Sequence, residues 1–344
     1  MIKHKIVNNI GIITLADKKN LNVLNQNFMD ELNKRFDEFI ENDLIKLIII
    51  DSEGRAFSAG GDMRYLYYEI LQKKISPKDF FNSEYELLKR YHNSKKPIIS
   101  FISGIVMGGG IGITIDSDIR VVDETTNWSM PEARIGFIPD IGIGYYFSKM
   151  EKHIGLYYSL LGESIDGSDL TRLNLAEHFI ENKYFKNAKE DLKKLNIEND
   201  SRYEIIKKSN EILNKYRSKL EKSKIEEKEE DLLKYFNKDS LEEIFDELDK
   251  DKNKNEFAKL TLLELNKRCP VSLQIIFLKY FAGKNWDREE TINYDLKLIE
   301  YCYKTGNMIE GLRAFFIDKD NLPKWSPDNI YKVDKDEIKK ILAF

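Results

Sequence analysis

The sequence predicts an α/β domain with largely parallel strand pairing, followed by a mainly α-helical region. Three observations predict it. Short apolar runs such as Leu47-Ile-Ile-Ile50 recur through the first half of the chain, with the length and composition of strands buried on both faces. Helical stretches separate these runs, an order that produces parallel sheets. Beyond about residue 180, glycine becomes scarce, charges crowd in, and apolar residues recur at helical spacing.

Taken in order, Lys3–Val7 and Ile10–Leu15 read as two strands joined at Asn8-Asn9, a dipeptide suited to a tight hairpin turn. Phe28, Leu32, Phe36, Phe39 and Ile40 form one face of an amphipathic helix. Leu47–Ile50, Pro97–Ile102 and Ile119–Val122 supply further strands. In the second half, Leu241, Ile244, Phe245 and Leu248 fall at i, i+3, i+4 and i+7, and Phe257, Leu260 and Leu263–Leu265 continue the helical pattern. The charge runs of this region, such as 225–231, are separated by apolar residues at helical spacing, so they read as solvated helix faces rather than binding tails. The expected organisation is a catalytic core at 1–180 and a helical region at 181–344 packing on it, the boundary lying loosely between 180 and 205.

Composition excludes several function classes. With 344 residues, 42% hydrophobic and a net charge of −4, the chain can bury a large core and has no global basic field to attract nucleic acid. Its two cysteines, Cys269 and Cys302, make neither a disulfide framework nor a zinc site and read as buried thiols in a reducing compartment. No apolar run approaches the roughly 18 residues of a membrane span. Folding is expected to begin by residue 3, without a presequence. His4, His92, His153 and His178 show no metal-ligand spacing, so no metal is expected.

Glycine concentrates in three segments: 54–62, 104–112 and 130–144. Each follows a strand or opens a helix, where free amides point outward and an oxyanion can approach the backbone closely. The segment Gly108-Gly-Gly-Ile-Gly112 lacks the G-x-G-x-x-G register, since Ile113 stands where the last glycine belongs, and no G-x-x-x-x-G-K-[ST] occurs. Nucleotide-dependent redox chemistry and phosphoryl transfer are therefore disfavoured.

Ala56-Phe-Ser-Ala-Gly-Gly-Asp62, Met107-Gly-Gly-Gly110 and Met130-Pro-Glu132 together resemble, in order and spacing, the signatures of the enoyl-CoA hydratase/isomerase (crotonase) superfamily. Asn20-Leu-Asn-Val-Leu24 resembles that family's CoA-contacting segment. The resemblance implies a crotonase-like spiral of ββα units over about 1–180. Two departures from the hydratase pattern sharpen it. Gly112 stands where hydratases carry a catalytic glutamate, and Asp140 follows Ile138-Pro139 where they carry glycine. In this, and in Glu310-Gly-Leu-Arg-Ala314, Ile317-Asp-Lys-Asp320 and Pro323-Lys-Trp-Ser-Pro327, the chain is similar to the acyl-CoA hydrolases of the superfamily that act on 3-hydroxyisobutyryl-CoA in valine degradation.

What the resemblance implies residue by residue is as follows. The amides of Ala59 and Gly109 form an oxyanion hole for the thioester oxygen. Glu132 acts as nucleophile or general base, two roles the sequence leaves open. Asp140 positions water, exchanges a proton with the leaving thiolate or binds a substrate hydroxyl. Glu84 is an acidic substrate-pocket residue, with an exposed helix glutamate as its rival reading. Asn20, Leu21, Asn22, Ala59, Gly60, Gly61 and Asp62 line the CoA site, while Arg64, Lys18 and Lys19 read as surface ion pairs rather than phosphate ligands. No bound cofactor is implied, since CoA enters as part of the acyl-CoA substrate. Neither nucleic acid nor membrane is an expected partner, and a homo-oligomer accords with the family. A bacterial cytoplasm is the expected location, or a mitochondrial matrix in a eukaryote. The rival readings are an enoyl-CoA hydratase or isomerase of the same superfamily, and a non-catalytic acyl-CoA-binding protein.

Overall fold

A computed structural model describes residues 1–72 and 77–343. The chain divides into two compact units, each built from discontinuous segments. The first comprises Met1–Asp62, Ser83–Trp128 and Ile165–Ser223, and the second Met63–Asn82, Ser129–Ser164 and Lys224–Phe344. The single boundary expected near residue 180 is thus corrected. Residues 165–223 pack with the N-terminal segment, and 63–82 and 129–164 pack with the late helices, because burial of apolar faces, not chain order, decides which segments share a core.

The first unit holds a six-stranded sheet of β1 (Ile2–Val7), β2 (Ile10–Leu15), β3 (Leu47–Ser52), β5 (Ile98–Ile102), β7 (Ile119–Val122) and β10 (His178–Phe179), in that spatial order. β1 and β2 form the expected hairpin, antiparallel with Val7 opposite Ile10, and Asn8 takes the left-handed conformation at φ +53° that such a turn demands. The remaining pairs, β2 with β3, β3 with β5, β5 with β7 and β7 with β10, are parallel. Alternate strand residues Leu47, Ile49, Ile99, Phe101, Ile119 and Val121 share a core with Phe185, Leu192, Ile205 and Leu213. Those four lie on the helices Asn182–Leu192 and Arg202–Asn214. Ile48, Ile50 and Ile98, pointing the other way, are as deeply buried. Burial on both faces is why these strands read as unbroken apolar runs instead of alternating ones. The helix Gln26–Glu41 buries Phe28, Met29, Leu32, Phe36 and Phe39, and its N-cap Asn25 accepts from the Phe28 amide.

A second, four-stranded sheet runs in the order β4 (Ala56–Ser58), β6 (Ile105–Met107), β8 (Asn127–Ser129) and β9 (Ile165–Asp166). Its β4 and β6 are parallel, so their C-terminal ends, both glycine-rich, emerge on the same side.

The second unit is helical. The helices Ile143–Lys149 and Lys152–Leu161 pack on Pro270–Ala282, Ile143–Lys149 also meets Arg288–Lys304, Glu229–Phe236 packs on Lys152–Leu161, and Leu241–Asp251 packs on Glu256–Leu265. Leu241, Ile244, Phe245 and Leu248 are buried as their spacing predicts. On the next helix the prediction needs correcting. Leu260 and Leu263 are exposed at 53% and 51%, and the buried face is Ala258, Thr261, Leu262 and Leu265, one step round the helix. A leucine-rich run has more apolar positions than one face can cover, so spacing alone did not select the face. The C-terminal motif has a structural explanation: Arg313 binds Glu310 at 2.8 Å, Asp318 at 2.5 Å and Asp320 at 2.7 Å, which pins the turn after the helix Asn307–Leu312.

Candidate active site

In the first unit the two glycine-rich strand ends abut. A Cβ built on Gly60 would lie 2.8 Å from the Met107 carbonyl and 3.5 Å from the Gly109 nitrogen, while one on Gly110 would lie 2.7 Å from the Ser58 carbonyl. Such approach distances leave no room for side chains. Gly109 opens the helix Gly109–Ile115, where the first amides lack an acceptor within the helix. The Ile111 amide is taken by the Gly108 carbonyl at 2.8 Å, and the Gly109 amide is the candidate donor for an oxyanion. The Glu84 carboxylate, carried by the helix Pro77–His92, stands directly over Gly109. A Cβ there would collide with Glu84 Oε1 and lie 3.1 Å from its Cδ. Glu84 is 8% exposed, which removes the reading of it as a surface glutamate.

Ala59 is already engaged in the structure. Its amide donates to the Leu21 carbonyl at 3.0 Å and so is not the free donor expected of it. The cause is local. Leu21 and Asn22 both adopt left-handed backbone (φ +55° and +52°), which turns the Leu21 carbonyl toward Ala59. The segment 20–24 is further sewn to 59–62, since the Leu24 amide donates to Gly60 at 2.9 Å and the Asp62 amide to Leu24 at 3.1 Å.

The Asn22 side chain is engaged as well. It is fully buried, its Oδ1 accepts from the Asp17 amide at 2.7 Å, and its Nδ2 donates to the Ala56 carbonyl at 3.0 Å. Those bonds hold the loop to β4 and commit the side chain to structure. Asn20 is exposed and donates to the Asp17 carboxylate at 3.0 Å. Lys18 pairs with Glu53 at 2.9 Å, as a surface ion pair. The structure therefore places Leu21, Asn22, Ala59, Gly60, Gly61, Asp62, Glu84 and Gly109 in one neighbourhood of the first unit.

In the second unit, Glu132 begins the short turn Glu132–Ile135 and is 7% exposed, and Asp140 is 4% exposed. The Glu132 turn is gripped from two directions. The Ala133 carbonyl accepts from the Cys269 amide at 3.0 Å, and the helix Asn307–Leu312 packs so closely that a Cβ on Gly311 would lie 2.8 Å from Ile135 Cα. The Asp140 loop is held by charged groups. Lys279 Nζ donates to the Pro139 carbonyl at 2.8 Å, and Arg288 Nη1 donates to the Ile141 carbonyl at 2.7 Å. The Gly142 amide donates to Asp295 Oδ2 at 2.8 Å, and Lys279 pairs with the other Asp295 oxygen. Burial pushes the Asp295 carboxyl up, while Lys279, the Gly142 amide and Arg288 pull it down. Gly142 admits no substitute here: its φ is +70°, and a Cβ would overlap the Arg288 guanidinium.

Sequence reading missed Lys279, Arg288 and Asp295. For Lys279 a signal was present, a charge inside the otherwise apolar helix Pro270–Ala282. For the other two there was none, since they sit in a helix that reads as charged throughout. Metal-ligand spacing is absent from the sequence, yet the fold brings ligand atoms of Glu151, His153 and Glu229 within 4.8 Å of one another. His153 Nε2 and Glu229 Oε1, 2.9 Å apart, already form a hydrogen bond there. A groove of about 470 Å³ at the ends of β2, β3 and β5 contains none of the predicted site residues. No helix among the described residues is long and apolar enough to cross a membrane.

The family model for enoyl-CoA hydratase/isomerase matches residues 10–342. The chain is 32% identical over 335 residues to the human "3-hydroxyisobutyryl-CoA hydrolase, mitochondrial", covering 95% of this chain and 84% of that protein. The protein of the same name from Danio rerio is 31% identical over 343 residues, covering 98% and 88%. Among solved structures, an enoyl-CoA hydratase from Rhodobacter sphaeroides superposes with a TM-score of 0.87 at 25% identity, covering 99% of this chain and 97% of that one. A carnitinyl-CoA dehydratase from Mycobacterium thermoresistibile superposes with a TM-score of 0.86 at 23% identity, covering 100% and 96%, and shares the fold. With the family model spanning almost its whole length, the chain belongs to the enoyl-CoA hydratase/isomerase family, the crotonase superfamily.

Proposed function

We propose that the protein hydrolyses an acyl-CoA thioester, with 3-hydroxyisobutyryl-CoA as substrate, giving 3-hydroxyisobutyrate and free CoA. The observation that carries the reading is the distribution of carboxylates. Position 112 is a glycine buried in the helix Gly109–Ile115, with no side chain to act as acid or base, whereas Glu132 and Asp140 are both buried. Adding water across a double bond ordinarily uses two acidic groups of which position 112 supplies one. Burying a carboxylate costs stability, so two retained in one unit argue for chemical use. The names of the relatives from Homo sapiens and Danio rerio support the same assignment.

In this reading the Gly109 amide stabilises the negative charge that builds on the thioester oxygen during attack. Ala59 supplies the second amide by exchanging its bond to Leu21 for one to the oxyanion. A hydrogen bond to a charged acceptor is stronger than one to a neutral carbonyl, which offsets the loss of the Leu21 carbonyl's partner. Glu132 either attacks the carbonyl carbon, forming a mixed anhydride that water then cleaves, or takes a proton from the water that attacks. In both routes the carbon–sulfur bond breaks and the CoA thiolate departs, and Asp140 serves the proton it acquires or the water. Glu84, over Gly109, contacts the acyl group. In this reading the stretch Leu66–Phe81 helps to shape the acyl pocket; its residues 73–76 lie outside the described residues.

The test measures thiol release from 3-hydroxyisobutyryl-CoA and loss of the crotonyl-CoA double bond, on the wild type and on Glu132→Gln. Thiol release that falls about 10²- to 10⁴-fold in the variant is the expected result. Turnover of crotonyl-CoA alone would replace the assignment by hydration, and acyl-CoA binding with no turnover of either would replace it by a binding protein. A single turnover in water enriched in heavy oxygen tests for the anhydride. Label in the Glu132 side chain marks an anhydride that water cleaves at the Glu132 carbonyl, whereas label in the product alone fits both the general base and an anhydride cleaved at the acyl carbon.

A further inference from the structure

We propose that Lys279, Arg288 and Asp295 are positioning residues that hold the Asp140 carboxylate in its working direction by fixing the backbone on both sides of it. The proposal rests on the reading that Asp140 takes part in thioester hydrolysis. Three backbone groups around Asp140 are bound to charged side chains: the carbonyls of Pro139 and Ile141 and the amide of Gly142. Its own carbonyl accepts from the Ile143 amide at 2.9 Å. The three side chains come from two helices, Pro270–Ala282 and Arg288–Lys304, and all are buried, Lys279 at 4%, Arg288 at 6% and Asp295 at 0% exposure.

The loop needs such a cradle. Ile141 is β-branched and stands at φ +51°, a left-handed conformation that persists only where surroundings enforce it. Charged donors and acceptors make stronger bonds to a backbone than neutral ones. The arrangement is also a poor choice for stability alone. Well-packed apolar side chains in place of a buried ion pair often stabilise a protein as well or better. Apolar side chains would, however, leave the Pro139 carbonyl and the Gly142 amide with no partner to aim them. The geometry of the cradle therefore points to direction, not stability, as what it supplies.

The experiment uses the full chain with Lys279→Met and Asp295→Leu combined, which removes both charges and keeps most of the volume. The expected kcat for thiol release falls about 10- to 100-fold, as for a small misplacement of a reacting group. KM stays within about threefold, because the ground-state contacts are untouched. Amide exchange across 140–146 speeds up. Built into Asp140→Asn, the same pair lowers kcat by less than about twofold, because its effect passes through that carboxylate. A merely structural role predicts equal losses in both backgrounds, and that outcome, or an unchanged kcat, overturns the proposal. Should the pair fail to fold, Arg288→Lys keeps the charge but shortens the reach to the Ile141 carbonyl, and the same cycle with Asp140→Asn applies. If the wild type releases no thiol from any acyl-CoA, the hydrolase reading has failed by itself. The positioning role then falls with it, since it needs a working Asp140, whereas unchanged exchange across 140–146 in the variants of an active wild type refutes the cradle alone.

Discussion

Gly109→Ala tests the packing of the candidate site with one carbon atom. The new Cβ would collide with Glu84 Oε1 and lie 3.1 Å from both Glu84 Cδ and Leu24 Cδ1. Because Glu84 is 8% exposed, its carboxylate cannot simply swing into water, and the collision has to be absorbed by a strained rotamer or a backbone shift. Overpacking of this kind costs about 1–3 kcal/mol. Truncating the opposing side chain, Glu84→Ala, removes the colliding atoms and leaves only the Leu24 contact. In that background the alanine regains the roughly 0.5–1 kcal/mol by which it outranks glycine in a helix, so the substitution becomes neutral or slightly stabilising. The expected coupling between the two sites is therefore about 1–3 kcal/mol, with a change of sign. Urea unfolding of the four proteins, followed by tryptophan fluorescence and by circular dichroism, measures it, and coincident transitions establish that a two-state treatment applies. A loss of equal size in both backgrounds, or no loss in the wild type, would refute the placement of Glu84 over Gly109.

Other expectations follow from single residues. Asn22→Ala strands the Asp17 amide and the Ala56 carbonyl in the interior and should lower stability by about 1–3 kcal/mol for each group left unpaired. An undiminished unfolding midpoint with a raised KM for acyl-CoA would instead return Asn22 to the CoA site. On the helix Glu256–Leu265, Leu265→Ala should cost about 2–5 kcal/mol as a core truncation, whereas Leu263→Gln should stay within about 0.5 kcal/mol. Equal losses at the two positions would show the wrong face to be buried. His178 is held below its ordinary value of 6.5, mainly by burial and against the pull of its bond to Asn210. The unfolded chain therefore binds the more protons near that pH. This contribution is fully present above about pH 6.5 and lost as pH falls through the folded value. Stability of His178→Gln should fall less steeply with acidification than that of the wild type, and parallel curves would count against the assignment.

Elements whose pattern is local were legible in the sequence. The β1–β2 hairpin followed from Asn8-Asn9, the helix Gln26–Glu41 from its apolar spacing, and the buried strands from unbroken isoleucine runs, because each depends on neighbours a few positions away. The family was legible too, since its glycine-rich segments are constrained by close backbone approach and cannot drift in composition. The helix Glu256–Leu265 shows the limit of this kind of reading. With leucines at 260, 262, 263 and 265, only the partner helix decides which of them are covered.

By itself, then, the sequence determined the α/β class, the helical second half, and the identity of Glu132, Asp140, Glu84 and Gly109 as candidates. Tertiary structure alone decided that Glu84 is buried over Gly109, that the Ala59 amide is engaged by Leu21, and that Asn22 serves the loop. It alone assigned Lys279, Arg288 and Asp295 to the Asp140 loop, across separations of 140, 147 and 153 residues in Lys279–Pro139, Arg288–Ile141 and Asp295–Gly142. The physical reason is range. Periodicity and turn chemistry are set by atoms close along the chain, whereas the partner of a buried charge is set by which helix packing brings beside it, and no local pattern records that choice.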